Sequence, residues 1–442
     1  LDIGTTKVSV VVGERDINGL IEIKGVGTAP SNGLRKGVVV NIDATVESIR
    51  KAVEEAELMA GLSIKDVYVG IAGGHIEGMN SRGVIAVSSK GREITQAEVD
   101  RVIDAARAVV IPSDRDVIHV LPQEFIVDEQ DGIKDPVGMC GVRLEAEIHI
   151  VTGSVTSMQN IVKSVQRAGL DVRDIVLQPL ASANAVLSED EKELGCILID
   201  IGGGTTDVLM YVDGAVWHTG VLAIGGSHLT NDLSVGLRTP TVSAEVIKKK
   251  YGCAMRGLVN PAEMIEVPSV GGRPPQRYPR TFLAEVLQPR MEEIFTLVNR
   301  EVQMTGLGDM IAAGVVITGG ACLVEGTAEV AEQVFNFPVR VGTPRNVSGL
   351  KDMVASPIHA TAVGLCQYGI VDQELRGNSV QPRGGRFFGF WEIPFFPAFS
   401  RASAQEQRTR RNRPIVGNQK EGRTMKRILA LAVSLALLVG GA

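Results

Sequence analysis

Two segments in opposite halves of the chain share one pattern. The first reads Asp2-Ile3-Gly4-Thr5-Thr6-Lys7 and leads into the apolar run Val8 to Val12. The second reads Asp200-Ile201-Gly202-Gly203-Gly204-Thr205-Thr206-Asp207 and follows the apolar run Cys196 to Ile199. Each puts an aspartate at the end or edge of a strand, then glycine, then hydroxyls. Glycine lets backbone turn tightly and approach an anion closely. Free amides and threonine hydroxyls then suit phosphate oxygens. A carboxylate repels phosphate, so Asp2 and Asp200 fit the role of holding a hydrated Mg²⁺. One such loop is also an ordinary turn in an α/β sheet. A matched pair, one per half, implies a duplicated fold that closes on one nucleotide from both sides.

The chain has 442 residues, more than one compact core usually spans, so two major lobes are expected. A formal charge of −6 argues against nucleic acid as a partner. The cysteines, Cys140, Cys196, Cys253, Cys322 and Cys366, are odd in number and lack metal-ligand spacing. They read as reduced core thiols.

Along the chain, a first-lobe core is expected over 1–75 and 151–187, interrupted by an insert at 76–150. Asp16-Ile17-Asn18-Gly19 is a hairpin turn between strands. Asp43 is expected to cap a helix with Val46, Ile49, Val53, Ala56 and Ala60 on its apolar face, ended by Gly61. In the insert, Thr95 to Glu98 is a capping box opening a second helix. Val117 to Val127 and Leu144 to Val151 alternate as strands with one exposed face do. A second-lobe core is expected over 188–230 and 311–369. Its insert, 231–310, holds two helices and the loop Pro268 to Pro279. Residues 370–427 read as a flexible Gly/Arg/Pro-rich tail and 428–442 as an apolar end.

Four further groups carry candidate chemistry. Gly319-Gly320 after the strand Val315 to Thr318 suits the α-phosphate or ribose of the same nucleotide, and is otherwise a strand-to-helix turn. Glu245 and Lys248 share a helix face, either as a solvated helix end or with Glu245 on ribose hydroxyls and Lys248 beside adenine. Gln178 either orients a water for attack on a γ-phosphate or caps a helix started by Pro179. On the helix Phe282 to Val302, a core stripe (Leu283, Leu287, Met291, Ile294, Val298, Val302) lies beside a mixed stripe of Val286, Arg290, Glu293 and Leu297. The mixed stripe is either a peptide-docking surface or a solvated flank with an ion pair. Pro289 is expected to kink this helix or mark its start.

These elements, in this order, resemble the FtsA family of bacterial cell-division proteins, within the superfamily of actin and the DnaK-type chaperones. The runs GLRKGVVVNIDATVESIRKAVEEAE, VLPQEFIVDEQDGIKDP, GVRLEAEIHIVTG, QPLASANAVL and VPSVGGRPP carry the likeness over about residues 1–370. The resemblance implies an α/β, actin-like ATPase fold. Each of its two lobes has an RNase H-like core and a small insert subdomain. It implies ATP and Mg²⁺ in the cleft, with Asp2, Gly4, Thr5, Thr6, Lys7, Asp200, Gly202, Gly203, Gly204, Thr205 and Thr206 on the phosphates and cation. Gly319, Gly320, Glu245 and Lys248 fall on the nucleoside, and Gln178 and Asp200 beside the hydrolytic water. Hydrolysis is expected to be weak or absent. Arg290 and Glu293 fall where the family binds the FtsZ C-terminal peptide. The family forms filaments, recruits later division proteins and works on the cytoplasmic face of the inner membrane at the division site. Two other classes of the same fold fit less well. A chaperone needs a peptide-binding domain that residues 370–442 are too short to form, and a sugar or acetate kinase needs a small-molecule pocket that the inserts do not suggest.

The end of the chain departs from the family's basic amphipathic helix. Seven of its 18 Phe, Trp and Tyr lie between Phe387 and Phe399, where Pro394 and Pro397 break any helix. Nine basic residues follow between Arg401 and Arg427, then the apolar run Ile428 to Ala442. The aromatic cluster and basic stretch together suit a membrane interface. The last run reads either as a short tail anchor or as readthrough after a frameshift beyond Gly389, and part of the first strand is expected to be missing before Leu1.

Overall fold

The computed structural model describes residues 1–376, apart from Asn18 and residues 88–92. The aromatic cluster, basic stretch and apolar end lie outside the described residues.

The chain opens as an antiparallel meander of β1 (Asp2–Ile3), β2 (Lys7–Arg15) and β3 (Ile21–Pro30). The turn between β2 and β3 is set by Asp16, whose Oδ1 accepts the Leu20 amide at 2.9 Å, and by Gly19 at φ 82°. A small hairpin follows, β4 (Leu34–Arg35) and β5 (Val38–Val39), whose turn residues Lys36 and Gly37 both take positive φ. Helix α1 (Ile42–Ala60) buries Val46, Ile49, Val53 and Ala56 and ends at Gly61 with φ 68°. Its cap is Asn41 rather than Asp43: the Asn41 side chain accepts the Ala44 amide at 3.0 Å. Asp43 lies in the first turn, where its charge still suits the positive end of the helix.

β6 (Asp66–Ile71) runs beside Leu1, which donates to the Tyr68 carbonyl and accepts the Gly70 amide, a parallel pairing. Then comes the insert: β7 (Glu77–Ala86), α2 (Gln96–Arg107), β8 (Arg115–Val127), β9 (Gln130–Ile133) and β10 (Arg143–Ser154). The strands form an antiparallel sheet in the order β7-β10-β8-β9, and α2 packs Val99, Val102 and Ile103 against it. The Glu98 carboxylate accepts both the amide and the hydroxyl of Thr95; the first of these bonds is the carboxylate's half of the capping box. β10 departs from the expected half-exposed alternation. It is nearly buried throughout, because α2 covers one face and the second lobe covers part of the other. Its polar residues are therefore paired: Glu145 with Arg82 and Arg143, His149 with Asn80 and a threonine of the second lobe.

α3 (Val155–Arg167) and β11 (Asp171–Leu177), parallel to β6, complete the first lobe. Its strands run β3-β2-β1-β6-β11. Helix α4 (Gln178–Val186) and the short α5 (Glu189–Leu194) lead to β12 (Cys196–Ile201), β13 (Thr206–Val212) and β14 (Ala215–Leu222). Next are α6 (Gly226–Leu237), α7 (Thr241–Tyr251), the hairpin β15 (Met264–Val267) and β16 (Gln276–Pro279), and the long α8 (Arg280–Thr305). β17 (Gly314–Thr318), α9 (Thr327–Phe335) and β18 (Val339–Val341) close the second sheet. Its order, β14-β13-β12-β17-β18, repeats the first lobe's order with the same strand senses.

In α8 the core stripe is fully buried, while Glu293 and Leu297 are exposed and Val286 and Arg290 half-buried. The helix starts at Arg280 and runs through Pro289, which neither starts nor ends it. Pro289 and Glu285, whose carbonyl loses its partner, both face solvent, so water satisfies the freed acceptor. β19 (Val347–Gly349) returns to pair with β3, and α10 (Lys351–Val354) precedes α11 (Ala360–Arg376). Residues 370–376, expected to open the tail, continue α11, held by the bond from Tyr68 to Asp372 at 2.8 Å. Cys140 is exposed, unlike the expected core thiols, and no cysteine is in a disulfide.

Candidate functional site

The two repeated motifs form the same turn. Gly4 donates to the Lys7 carbonyl at 2.9 Å and Gly202 to the Thr205 carbonyl at 3.0 Å, so each is a tight hairpin, β1–β2 in one lobe and β12–β13 in the other. The tips meet. A Cβ on Gly203 would lie 2.3 Å from Thr6 Cγ2, and one on Gly204 would lie 2.5 Å from Thr5 Oγ1. Only glycine allows that approach. Thr5 Oγ1 also accepts the Gly37 amide at 3.1 Å, which seats the β4–β5 hairpin on the first turn.

Behind the tips lie three buried carboxylates and one ammonium. Gln178, the first residue of α4, donates from Nε2 to Asp2 Oδ1 at 3.1 Å. Asp200 Oδ2 accepts from Ser182 Oγ at 2.6 Å and faces Thr361 Oγ1 at 3.3 Å. Asp207, opposite Asp200 across β12 and β13, takes one bond from Thr205 at 3.2 Å, and its Oδ1 is buried without a hydrogen-bond partner. Burial pushes all three carboxyls up, Asp207 furthest, with the neighbouring aspartates adding to the rise at Asp200 and Asp207. Lys7 donates to the Ile358 carbonyl at 2.6 Å; burial lowers its ammonium, and the attraction of Asp2 and Asp200 opposes that. A cluster with one such cation and an unsatisfied oxygen suits a divalent cation carrying its own waters.

A third backbone segment reaches the same place. Gly319, at φ 85°, ends β17 so close to Asp200 that a Cβ would lie 2.4 Å from Oδ1, while Gly320 beside it is open. The start of α6 supports the second turn: the Gly226 and Ser227 amides donate to the Gly202 and Gly203 carbonyls at 2.9 and 2.8 Å. Lys248 of α7 donates to the Gly226 carbonyl at 3.0 Å and to Thr230 at 2.8 Å, and pairs with Glu245 at 2.7 Å. Burial lowers the Lys248 ammonium against that pairing. Burial would raise Glu245, but bonds from Lys248 and Thr230 outweigh it and hold the carboxyl below its ordinary value.

Most of the sequence candidates therefore converge. Thr206 does not present its hydroxyl to the turn, because it donates to the Ile224 carbonyl at 2.9 Å and anchors the approach to α6. Arg290 and Glu293 lie elsewhere, on the flank of α8, where Arg290 pairs with Asp232 of α6 at 2.7 Å and with Glu293 at 2.5 Å. Sequence reasoning passed over Gly225-Gly226, although a glycine pair before a helix was a readable signal. Asp207 stands at the end of the second motif, with nothing in the pattern to mark it. Ser182 and Thr361 gave no signal.

Comparison with known proteins settles the family. A model described as "Cell division protein FtsA" matches residues 197–364, and one described as "SHS2 domain inserted in FTSA" matches residues 73–152. The cell division protein FtsA of Pseudomonas aeruginosa is 52% identical over 387 residues, covering 88% of this chain and 92% of that relative. The chain belongs to the FtsA family. It is thus an actin-like cell-division protein, and the segment named as an inserted domain coincides with the sheet of β7 to β10 and α2. Among solved structures, the PilM-PilN type IV pilus biogenesis complex aligns with a TM-score of 0.60 at 15% identity, covering 84% of this chain and 97% of that one. MreB5 of Spiroplasma citri bound to ADP aligns at 0.52 and 14% identity, covering 86% and 98%. These two likenesses concern the fold, an α/β actin-like ATPase fold with an RNase H-like core in each lobe. Among the described residues, no helix of this FtsA-family chain is long and apolar enough to cross a membrane.

Proposed function

We propose that this FtsA-family protein binds ATP with Mg²⁺ between its lobes, assembles with copies of itself, and tethers FtsZ to the cytoplasmic face of the membrane at the division site. The observation that carries the nucleotide reading is the meeting of two identical hairpin turns, one per lobe, over the buried Asp2, Asp200 and Asp207. Amides of Thr5, Thr6, Gly203, Gly204 and Thr205 and the hydroxyls of Thr5 and Thr6 hold phosphate oxygens, Gly4 and Gly202 close the two turns with their own amides, and Lys7 adds a positive charge. Asp2 and Asp200 hold the hydrated cation, which when bound neutralises phosphate charge. Gly319 and Gly320 let backbone approach the sugar, and Glu245 and Lys248 flank the nucleoside. Gln178 is a neutral amide already bonded to Asp2, so it orients a water without taking its proton, and turnover is slow.

The C-terminal peptide of FtsZ docks on the flank of Val286, Arg290, Glu293 and Leu297, and later division proteins join the assembly. The membrane contact belongs to residues 384–442. Co-sedimentation of the protein with FtsZ and liposomes of anionic lipid tests the reading, with and without ATP. Removal of residues 384–442 is expected to abolish pelleting with liposomes while sparing ATP and FtsZ binding. A truncated protein that still pelleted with liposomes without FtsZ would sink the tethering role. Thermal unfolding with ATP and Mg²⁺ tests the site. At 100 times its dissociation constant a ligand adds about 2.7 kcal/mol, and an unchanged melting temperature in the parent would remove the nucleotide.

A further inference from the structure

Asp200 is held from outside the second lobe's sheet by two hydroxyls on two different helices. Ser182 lies on α4, the helix that carries the chain from the first lobe to the second, and Thr361 lies at the start of α11. Ser182 Oγ is 2.6 Å from Asp200 Oδ2 and 2.9 Å from Thr361 Oγ1, and Thr361 Oγ1 is 3.3 Å from the same carboxylate oxygen. An ionised carboxylate only accepts, and each hydroxyl has one proton to give. The shortest consistent arrangement runs Thr361 O–H to Ser182 Oγ, and Ser182 O–H to Asp200 Oδ2. Ser182 is fully buried and Thr361 only 8% exposed, so water does not compete at either.

The helices bearing the two hydroxyls cross with almost no space between them. A Cβ on Gly364 would lie 1.7 Å from the Ala181 carbonyl oxygen, so backbone meets backbone there. Ser182 is the next residue after Ala181, and Thr361 lies one turn before Gly364. The crossing therefore sets the geometry of the hydroxyl pair. With Oδ2 taken, Oδ1 is the oxygen left on the side of Gly319.

We propose that Ser182 and Thr361 are positioning residues, a two-hydroxyl relay that orients Asp200 toward its cation and ties cation binding to the crossing of α4 and α11. This rests on the reading of Asp200 as holder of a hydrated Mg²⁺. The hydroxyl bonds oppose, without cancelling, the rise that burial and Asp2 impose on the Asp200 carboxyl.

The test is ATP affinity measured by titration with excess Mg²⁺ and again in excess EDTA, on the full chain. Ser182→Ala is expected to lower the Mg²⁺-dependent gain about tenfold, the usual worth of a hydrogen bond to a charged group, and to leave affinity in EDTA unchanged. Thr361→Val is expected to lose part of that gain, and Thr361→Ser, which keeps the hydroxyl, to retain it. The double variant Ser182→Ala, Thr361→Val should lose less than the sum of the two single losses, because Thr361 acts on Asp200 mainly through Ser182. Equal losses with Mg²⁺ and with EDTA would assign the hydroxyls a structural role only and overturn the relay, as would a full Mg²⁺ gain in Ser182→Ala. A parent protein whose ATP affinity gains nothing from Mg²⁺ overturns the cation reading of Asp200 itself, and the relay with it.

Discussion

Single residues at the lobe junction carry opposing costs. Asp207 is buried opposite Asp200 with one oxygen unpartnered, and its carboxyl is pushed well above the ordinary range. A group raised on folding contributes stability at low pH that is lost as pH rises through its folded value. Above the ordinary aspartate range Asp207 therefore weakens the fold, and Asp207→Asn is expected to raise the stability of nucleotide-free protein at pH 8. The same change should reduce the stabilisation by ATP and Mg²⁺, because the amide no longer draws a cation. Melting curves with and without ligand check both. A variant less stable without ligand and unchanged in its response would remove Asp207 from the cation's surroundings.

At the scale of elements, α8 and the crossing of α4 with α11 make the sharpest demands. Reversing Arg290 would set a carboxylate against Asp232 and Glu293, so a loss of peptide binding would mix with a loss of fold. Leu297→Ser is the cleaner probe: the residue is exposed, and the variant's stability should stay within about 0.5 kcal/mol of the parent's, while affinity for an FtsZ C-terminal peptide falls. Equal peptide affinity would return the stripe to a solvated flank. Gly364→Ala is expected to cost about 1–3 kcal/mol by overpacking, read by urea unfolding, since the added carbon meets the Ala181 carbonyl. Much at this scale was legible in the chain. The core stripe of α8 follows helical spacing, and Gly61 and the Thr95 box end and begin helices by local chemistry. Asn41 was missed because two capping types stand close together and local pattern does not rank them. β10 was misjudged because what covers its second face comes from the other lobe. Ser182 was invisible: a lone serine in an apolar helix has no pattern, and its partner lies 179 residues away.

Across the whole molecule, two buried histidines and one half-buried one make stability depend on pH. Burial lowers His119 and His149 to about 3 and His359 to about 4, from 6.5. His119 Nε2 accepts the Leu177 amide at 2.9 Å, which needs the neutral ring. The unfolded chain takes up these protons below pH 6.5 and the folded chain does not, so stability is complete above that pH and falls as pH drops toward 3 to 4. His119 and His149 each contribute about 1.4 kcal/mol per pH unit within their window, and the half-buried His359 contributes less. The raised aspartates act in the opposite sense, so the difference between parent and His119→Gln isolates one ring. That difference should move in the variant's favour between pH 6.5 and 4, and a constant difference would mean His119 titrates normally. The duplication of the sheet was legible from two short motifs; its strand order was not, because pairing between distant segments leaves no trace in either one.

The contact between Gly364 and Ala181 limits how the two lobes can move. Helices meeting backbone to backbone have no side-chain layer on which to slide, so shear is closed to them and rotation about the crossing remains. The geometry is that of a pair of calipers with one pivot. Displacement is least at the pivot, where Ser182 and Thr361 sit, and grows with distance along each arm. A rotation about the crossing would leave Asp200 nearly in place and carry the far surfaces furthest, among them the insert and the flank of α8.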